Sequence, residues 1–202
     1  MHRQFTNLRS PNDTRKVVEQ ILTIGPIAQT TTYIGSVKLV PGHWTIAHNV
    51  GQARKAIKDL KGRQAGEARD SDVETEAVLA EFITAQLLDS TDCRIAPLVS
   101  HKPDPALDVT IGGVSFDIKC IRSCAKCTAI NADSHAKKAP AFYLFALVVN
   151  GHCIDFFVVS SRAVNAWPVR TKYRGNDMPP RKHYRAADLP ASLCSPECCI
   201  PA

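Results

Sequence analysis

Apolar and polar residues alternate along some stretches of this chain and recur every three to four residues along others. The alternating stretches predict β-strands at residues 31–41, 107–119, 142–149 and 152–160. Helical spacing predicts a first helix over residues 13–23, stopped by Gly25-Pro26. A second amphipathic helix is predicted over residues 72–89. Helices and strands mixed along one chain predict an α/β fold.

Residues 107–119, LDVTIGGVSFDIK, form the most distinctive stretch. Gly112-Gly113 between two alternating runs predicts a tight hairpin, because both turn residues can adopt positive φ. Pairing Ile111 with Val114 then places Asp108 opposite Asp117. One face of the hairpin is apolar, with Leu107, Val109, Ile111, Val114, Phe116 and Ile118. The other face carries Asp108, Asp117 and Lys119 at its open end.

Two opposed carboxylates destabilise a sheet unless a cation compensates them. Oxygen ligands of this kind suit Mg²⁺, for which Mn²⁺ is expected to substitute. Lys119, two residues after Asp117, would orient a water or stabilise charge that develops on a phosphoryl group. A surface hairpin in which Asp117 and Lys119 are only solvated or paired would give the same pattern.

Asp108, the glycine turn and Asp117-Ile118-Lys119 resemble the core of the PD-(D/E)xK nuclease superfamily, the restriction-endonuclease-like fold. A Pro-Asp pair also stands at Pro103-Asp104, but Asp104 would lie beyond the lysine, so Asp108 is the better match. The resemblance covers about residues 70–160. It implies a mixed central sheet flanked by helices, a metal-dependent nuclease activity, and a glutamate on the helix before the hairpin.

Glu76 is the best match to that helix glutamate. It lies in line with Ala80, Ile83 and Leu87, at steps of four, three and four residues, and so on a core-facing stripe. A carboxylate there needs a partner or a metal. Glu81 and Glu74 are weaker candidates, since both can be read as facing solvent. The resemblance therefore implies three metal ligands, Glu76, Asp108 and Asp117, with Lys119 as a fourth catalytic residue.

The polar segment 130–135 precedes the strand that begins at Phe142. His135 or Asn131 could there contact a phosphate or the metal-bound water. A histidine in a cap or loop is the simpler interpretation, and it is the one we favour.

The composition limits the classes of protein to which this chain can belong. The chain has 202 residues, 45% of them hydrophobic, and a net charge of +6 from 25 basic and 19 acidic side chains. This charge suits a polyanionic partner without requiring one. No apolar run is long enough to span a membrane and no secretory signal is visible, so we expect a cytoplasmic protein.

Eight cysteines are many for such a protein. Cys120, Cys124 and Cys127 have a spacing that could hold zinc or an iron–sulfur cluster, as do Cys194 and Cys198-Cys199. The spacing is not a clean pair of C-x2-C knuckles, so free thiols are the default expectation and a disulfide framework is not expected.

Residues 42–62 resemble a helix-turn-helix with its turn at Val50-Gly51. The second helix would expose Arg54, Lys55 and Lys58 to DNA. Two ordinary packed helices with a glycine between them would give a similar pattern. The charged segment 61–72 predicts a linker, which suggests an N-terminal helical region, residues 1–65, and a nuclease-like domain, residues 66–202.

Basic and aromatic residues also alternate near the C-terminus, in the segment that begins at Trp167. Arg181, Lys182 and Arg185 beside Tyr184 suit phosphate contacts and base stacking. A solvated loop would have the same composition, and the two interpretations stay open.

These features predict a Mg²⁺-dependent endonuclease that hydrolyses DNA, with RNA as another substrate left open. Restriction, defence and DNA repair are all compatible settings. Since one active site cuts one strand, double-strand cleavage would favour a homodimer. The alternative is a non-catalytic DNA-binding regulator that uses the helix-turn-helix and a nuclease-like dimerisation fold. A structural zinc protein is a third hypothesis, and it rests on the cysteines alone.

Overall fold

The computed structural model describes residues 11–60, 71–88, 93–95, 109–121, 127–137, 139–149, 151–173 and 176–185. The helices of this part are α1 (Pro11–Ile24), α2 (Pro41–Leu60), α3 (Ser71–Leu88), α4 (Ala132–Lys137) and α5 (Ser161–Asn165), with a 3-10 turn at Gly25–Ile27. The strands are β1 (Thr32–Lys38), β2 (Cys93–Ile95), β3 (Val109–Ile111), β4 (Val114–Ile121), β5 (Cys127–Asn131), β6 (Phe142–Val149), β7 (Cys153–Ser160), β8 (Val169–Tyr173) and β9 (Asn176–Arg185). None of the helices described here is long and apolar enough to cross a membrane.

A six-stranded sheet with the order β1-β7-β6-β4-β3-β2 forms the centre of the fold. β4 pairs with β6 in parallel, whereas its pairing with β3 and that of β6 with β7 are antiparallel. The sheet is therefore mixed, and the predicted α/β class is confirmed. The chain crosses from β4 to β6 through β5 and α4, because parallel neighbours cannot be joined by a tight turn.

The glycine hairpin has the predicted register. Ile111 pairs with Val114 and Val109 pairs with Phe116. Gly112 and Gly113 have φ values of 54° and 80°, a conformation that other residues rarely adopt. The described pairing ends at Val109, so the predicted pairing of Asp108 with Asp117 lies outside the described residues.

One face of the central sheet is covered by α1, α2 and α3. The sheet contributes a large set of apolar side chains to this core, which include Phe116, Ile118, Leu144, Ala146, Ile154 and Phe156. Val18 of α1, Ala47 of α2 and Val78 of α3 pack against them. One apolar cluster thus joins α1 and α2 to the sheet, while the proposed domain boundary at residue 65 lies outside the described residues.

The opposite face of the sheet carries a second apolar cluster, smaller and mixed with polar groups. Tyr143, Phe145 and Phe157 of the sheet pack there with Ile130 of β5 and Val164 of α5. A three-stranded antiparallel sheet with the order β5-β9-β8 contributes Ile130 to this layer. We call this side the polar face and the other the helix-covered face.

The predicted helix-turn-helix is wrong, because α2 runs unbroken through Val50 and Gly51. Gly51 is buried, and a Cβ atom there would lie 3.0 Å from the backbone nitrogen of Thr75 on α3. The glycine therefore permits a close approach of two helices and not a turn. Such a glycine looks identical in sequence to one in a turn, which explains the error.

Candidate active site

Asp117 and Lys119 lie on the polar face of β4, two residues apart and so on the same side of the strand. The Nζ atom of Lys119 donates a hydrogen bond to Oδ1 of Asp117 at 2.6 Å. The Asp117 side chain is 10% exposed and that of Lys119 is 29% exposed. The pair is thus set into the protein surface, with the lysine as its accessible member.

Tyr143 is the neighbour of Asp117 across the parallel β4–β6 pairing. Its hydroxyl lies 2.7 Å from Nδ1 of His135, and Nε2 of the same ring lies 2.7 Å from Oδ1 of Asn165. An amide oxygen accepts hydrogen bonds, so Nε2 carries the histidine proton and Nδ1 accepts the Tyr143 hydroxyl proton. A chain of hydrogen bonds therefore runs from the exposed Asn165 of α5 through the buried His135 of α4 to Tyr143 of β6, beside Asp117.

The environment of Tyr143 raises the pKa of its phenol well above the ordinary value. Burial is the main cause, and the negative charge of Asp117 is the second. Both disfavour the phenolate. Tyr143 therefore stays neutral near pH 7 and acts as a hydrogen-bond donor, which excludes it as a base or a nucleophile.

The structure does not bring the predicted helix glutamate into contact with this pair. α3 packs on the helix-covered face, whereas Asp117 points to the polar face. Glu76 is half-buried, and Glu74 is more deeply buried. The expectation that Glu74 and Glu81 could face solvent is wrong for Glu74. Glu81 is also engaged, because it forms a two-fold ion pair with Arg54 of α2.

The third predicted acid, Asp108, lies outside the described residues. Within the described part of the chain, no three histidine, cysteine or acidic side chains cluster in a way that could hold a metal ion. Carboxylate oxygen is the donor type that Mg²⁺ prefers, and Asp117 supplies it. The described residues thus provide one suitable ligand, and the predicted partner across the hairpin is the residue that would complete the pair.

Several side chains predicted to contact nucleic acid are engaged inside the protein. Arg54 pairs with Glu81, and Lys55 is half-buried. His135 is buried with both ring nitrogens hydrogen-bonded. Lys182 is buried, and its Nζ donates at 2.9 Å to the backbone carbonyls of residues 165 and 167. The expectation that Arg54, His135 and Lys182 face a nucleic acid is therefore wrong, because each satisfies a group within the fold.

Of the remaining predicted basic contacts, Arg181 is exposed on β9. The backbones of Lys58 and Arg185 lie in α2 and β9, while their side chains lie outside the described residues. Arg181 is thus the predicted contact that the structure places at the surface.

Sequence reasoning missed two polar groups of the polar face. Tyr143 stands in an apolar strand, and its proximity to Asp117 depends on a parallel register that no turn fixes. Asp155 is fully buried and accepts a hydrogen bond from Ser36, whose hydroxyl lies 2.6 Å from that of Tyr33. A single carboxylate in the apolar run of β7 was the available signal for this second group.

Most of the cysteine clusters lie outside the described residues, so the predicted metal sites there stay untested. Cys120 packs against the helix-covered core. Cys153 is buried and disulfide-bonded, with a partner whose side chain lies outside the described part. The free-thiol expectation is wrong for Cys153. Disulfides are rare in the cytosol, so this one counts against the expected cytoplasmic location, which stays a prediction.

The polar face thus combines an accessible lysine, a recessed carboxylate and a hydrogen-bond chain through the buried His135 and Tyr143. Comparison with known proteins adds nothing to this description, since no family model matches the chain and neither curated proteins nor solved structures give a match.

Proposed function

We propose that this protein is a metal-dependent endonuclease that hydrolyses DNA phosphodiester bonds at the end of β4. The observation that supports the proposal best is the pairing of Asp117 with Lys119 beside a glycine hairpin of the predicted register. A mixed sheet with helices on both of its faces also agrees with the restriction-endonuclease-like fold that the sequence resembles. The resemblance to that superfamily supplies the reaction type.

The proposed metal site centres on Asp117. Asp108 would supply a second carboxylate from the facing strand. Glu76 is left out of the proposed ligand set, because α3 packs on the opposite face of the sheet. A bound Mg²⁺ ion would activate a water and stabilise the leaving oxygen of the phosphodiester. A divalent cation would offset the negative charge of the two carboxylates. It would thereby remove the repulsion between these opposed side chains.

Lys119 has two tasks in this proposal. In the absence of substrate its ammonium group neutralises Asp117 at 2.6 Å. Its partial exposure leaves the ammonium protons able to reach a phosphoryl oxygen or an attacking water. A positive donor at that point stabilises the negative charge that develops in the transition state.

Tyr143 and His135 would act as positioning residues. The hydrogen bond from the Tyr143 hydroxyl to His135 fixes the phenol beside Asp117. Since burial and Asp117 keep the phenol protonated, Tyr143 adds no second negative charge to the site. The carboxylate of Asp117 is thereby kept in a defined and nearly dry environment, where electrostatic interactions are stronger than in water.

The regulator hypothesis has lost its proposed reading element, because α2 is one continuous helix. We therefore favour the enzyme, in a setting of restriction, defence or repair and in the cytoplasm. DNA is the proposed substrate, and a homodimer would be needed to cut both strands together.

The test is incubation of the purified protein with plasmid, linear and branched DNA, and with RNA, in Mg²⁺, Mn²⁺ or EDTA. The expected result is cleavage of at least one DNA substrate in either metal and no cleavage in EDTA. Cleavage of RNA alone would mean that the substrate of the enzyme is RNA and not DNA. Absence of metal-dependent cleavage on every substrate would contradict the proposal.

A further inference from the structure

In the small sheet, the β5–β9 pair has one side turned inward and one turned outward, while the described side chains of β8 are exposed. Ile130 of β5 and its cross-strand partner Lys182 of β9 are buried. Their sequence neighbours Asn131 and Arg181, which also pair across these strands, are exposed. Because side chains alternate along a strand, the second pair belongs to an outward face.

Two arginines stand directly opposite each other on that outward face. Arg170 of β8 pairs with Arg181 of β9, and both side chains are exposed. Directly opposed residues of an antiparallel pair have Cβ atoms about 4.5–5.5 Å apart, and like charges at that distance are destabilising. Within the described part of the chain, neither arginine side chain forms a hydrogen bond or ion pair. Among the residues that the structure describes, this repulsive pair therefore has no counter-charge.

The neighbouring positions of the same ribbon are arranged differently. Lys172 of β8 pairs with Asp177 of β9, so a carboxylate stands opposite that ammonium group. A break in the register separates Lys172 from Arg170. The concentration of uncompensated positive charge is thus local to the two arginines and is not a general property of β8 and β9.

Lys182 holds this ribbon on the rest of the protein. Its buried ammonium group donates to the carbonyls of Asn165 and Trp167, at the end of α5, where helix carbonyls lack partners within the helix. The side chain of Asn165 continues to His135 and the Tyr143 hydroxyl. Arg181, the adjacent residue, is therefore presented on a strand anchored to the layer beneath β4 and β6.

We propose that Arg170 and Arg181, on the outward face of the small sheet, bind the phosphate backbone of DNA. The choice of a nucleic acid as the polyanion rests on the proposed function. Guanidinium groups suit this role because each can form two parallel hydrogen bonds to a phosphate. The contact is to the backbone and belongs to a different sheet from that of Asp117, so it positions the DNA and carries no sequence information.

Binding of a fluorescent DNA duplex, followed by anisotropy in EDTA over a series of salt concentrations, tests this surface without cleavage. Each phosphate contact contributes roughly 0.9 to the magnitude of the log–log salt slope on duplex DNA. The variant with Arg170→Gln and Arg181→Gln is expected to bind more weakly and to lose roughly 1.8 from that magnitude, two contacts in all. Replacing both arginines with lysine should largely retain the slope, since it retains the charge.

Matched controls separate this surface from general charge and from folding. Lys38→Gln removes an exposed charge from β1, at an edge of the central sheet, and should leave the slope unchanged. Lys182→Met should lower the melting temperature, because it removes the buried anchor of the ribbon, and it shows what a folding defect alone does to the protein. A double arginine variant that melts like the wild type and keeps its affinity and slope would overturn the proposal.

The same variants distinguish failure of this inference from failure of the proposed function. Binding that depends on the two arginines, in a protein that never cleaves DNA with Mg²⁺, would support the surface and refute the nuclease. Cleavage that persists with an unchanged salt slope in the double arginine variant would refute the surface and leave the nuclease standing. Equal loss of slope in Lys38→Gln would refute it as well, since any positive charge would then suffice.

Discussion

The two faces of the central sheet are built from the same strands but differ in chemistry. On the helix-covered face, the buried side chains of β4, β6 and β7 are apolar apart from Ser160 at the end of β7. On the polar face the same strands carry Asp117, Lys119, Tyr143 and Asp155, each engaged with a polar neighbour. Burying polar groups costs free energy unless they are hydrogen-bonded. These contacts offset the cost of keeping polar side chains on the polar face, where the proposed chemistry lies.

The largest effect we expect is on the helix-covered face. Leu144 is fully buried and adjacent to Tyr143, but it points to the opposite side of the sheet. Leu144→Ala should lower the free energy of unfolding by about 2–5 kcal/mol, because it removes buried methyl groups and leaves a cavity. Urea unfolding measures the change. A loss below about 1 kcal/mol would show that this face does not hold the main core.

Two glutamates of α3 test whether the helix contributes to the polar face. Glu76→Gln should leave the Mg²⁺ concentration for half-maximal cleavage unchanged, because α3 packs on the face of the sheet opposite Asp117. Glu81→Gln should also leave it unchanged and lower the free energy of unfolding by about 0.2–1 kcal/mol, because it disrupts the pair with Arg54. A Mg²⁺ requirement that rises in Glu76→Gln alone would show that Glu76 belongs to the metal site after all.

A further prediction concerns Tyr143 at alkaline pH. Its pKa is raised in the folded state, so above about pH 10 the unfolded chain binds fewer protons than the folded protein. The free energy of unfolding should then fall as the pH rises, by up to about 1.4 kcal/mol per pH unit from this residue. Below pH 10 the contribution is fully present. Tyr143→Phe should flatten this part of the pH dependence.

Urea unfolding of the wild type and of Tyr143→Phe at a series of pH values from neutral to alkaline provides the measurement. The difference between the two proteins isolates Tyr143 from the lysines, which titrate in both. A constant difference across the series would mean that the phenol ionises as easily in the fold as in the unfolded chain, which would contradict its placement.

Local sequence signals predicted those elements whose own residues mark them, by a glycine turn or by a regular spacing of apolar residues. Gly112-Gly113 fixed the β3–β4 register, because two glycines in a two-residue turn leave few alternatives. Alternation placed Asp117 and Lys119 on one face and Phe116 on the other, as the structure has them. The long helix α3 followed from its apolar periodicity.

Features that depend on distant contacts could not be predicted in this way. The parallel register that sets Tyr143 beside Asp117 arises from a crossover, whose length does not fix the pairing. The role of Gly51 was predicted wrongly, because the sequence does not distinguish a glycine at a helix–helix contact from a glycine in a turn. Lys182 was expected at the surface together with Arg181, but the two adjacent residues point to opposite sides of β9, and Lys182 is the buried one.

The central claim, that the end of β4 is the catalytic site, is tested most directly by the cleavage rate of Lys119→Ala. Under saturating Mg²⁺ and excess protein, this variant should cleave DNA at least about a hundredfold more slowly than the wild type, because it lacks the positive donor at the developing charge. Its DNA affinity in EDTA should stay near that of the wild type. Ser115→Ala, on the same face of the same strand, should cleave normally. Cleavage by Lys119→Ala at the wild-type rate would contradict the account.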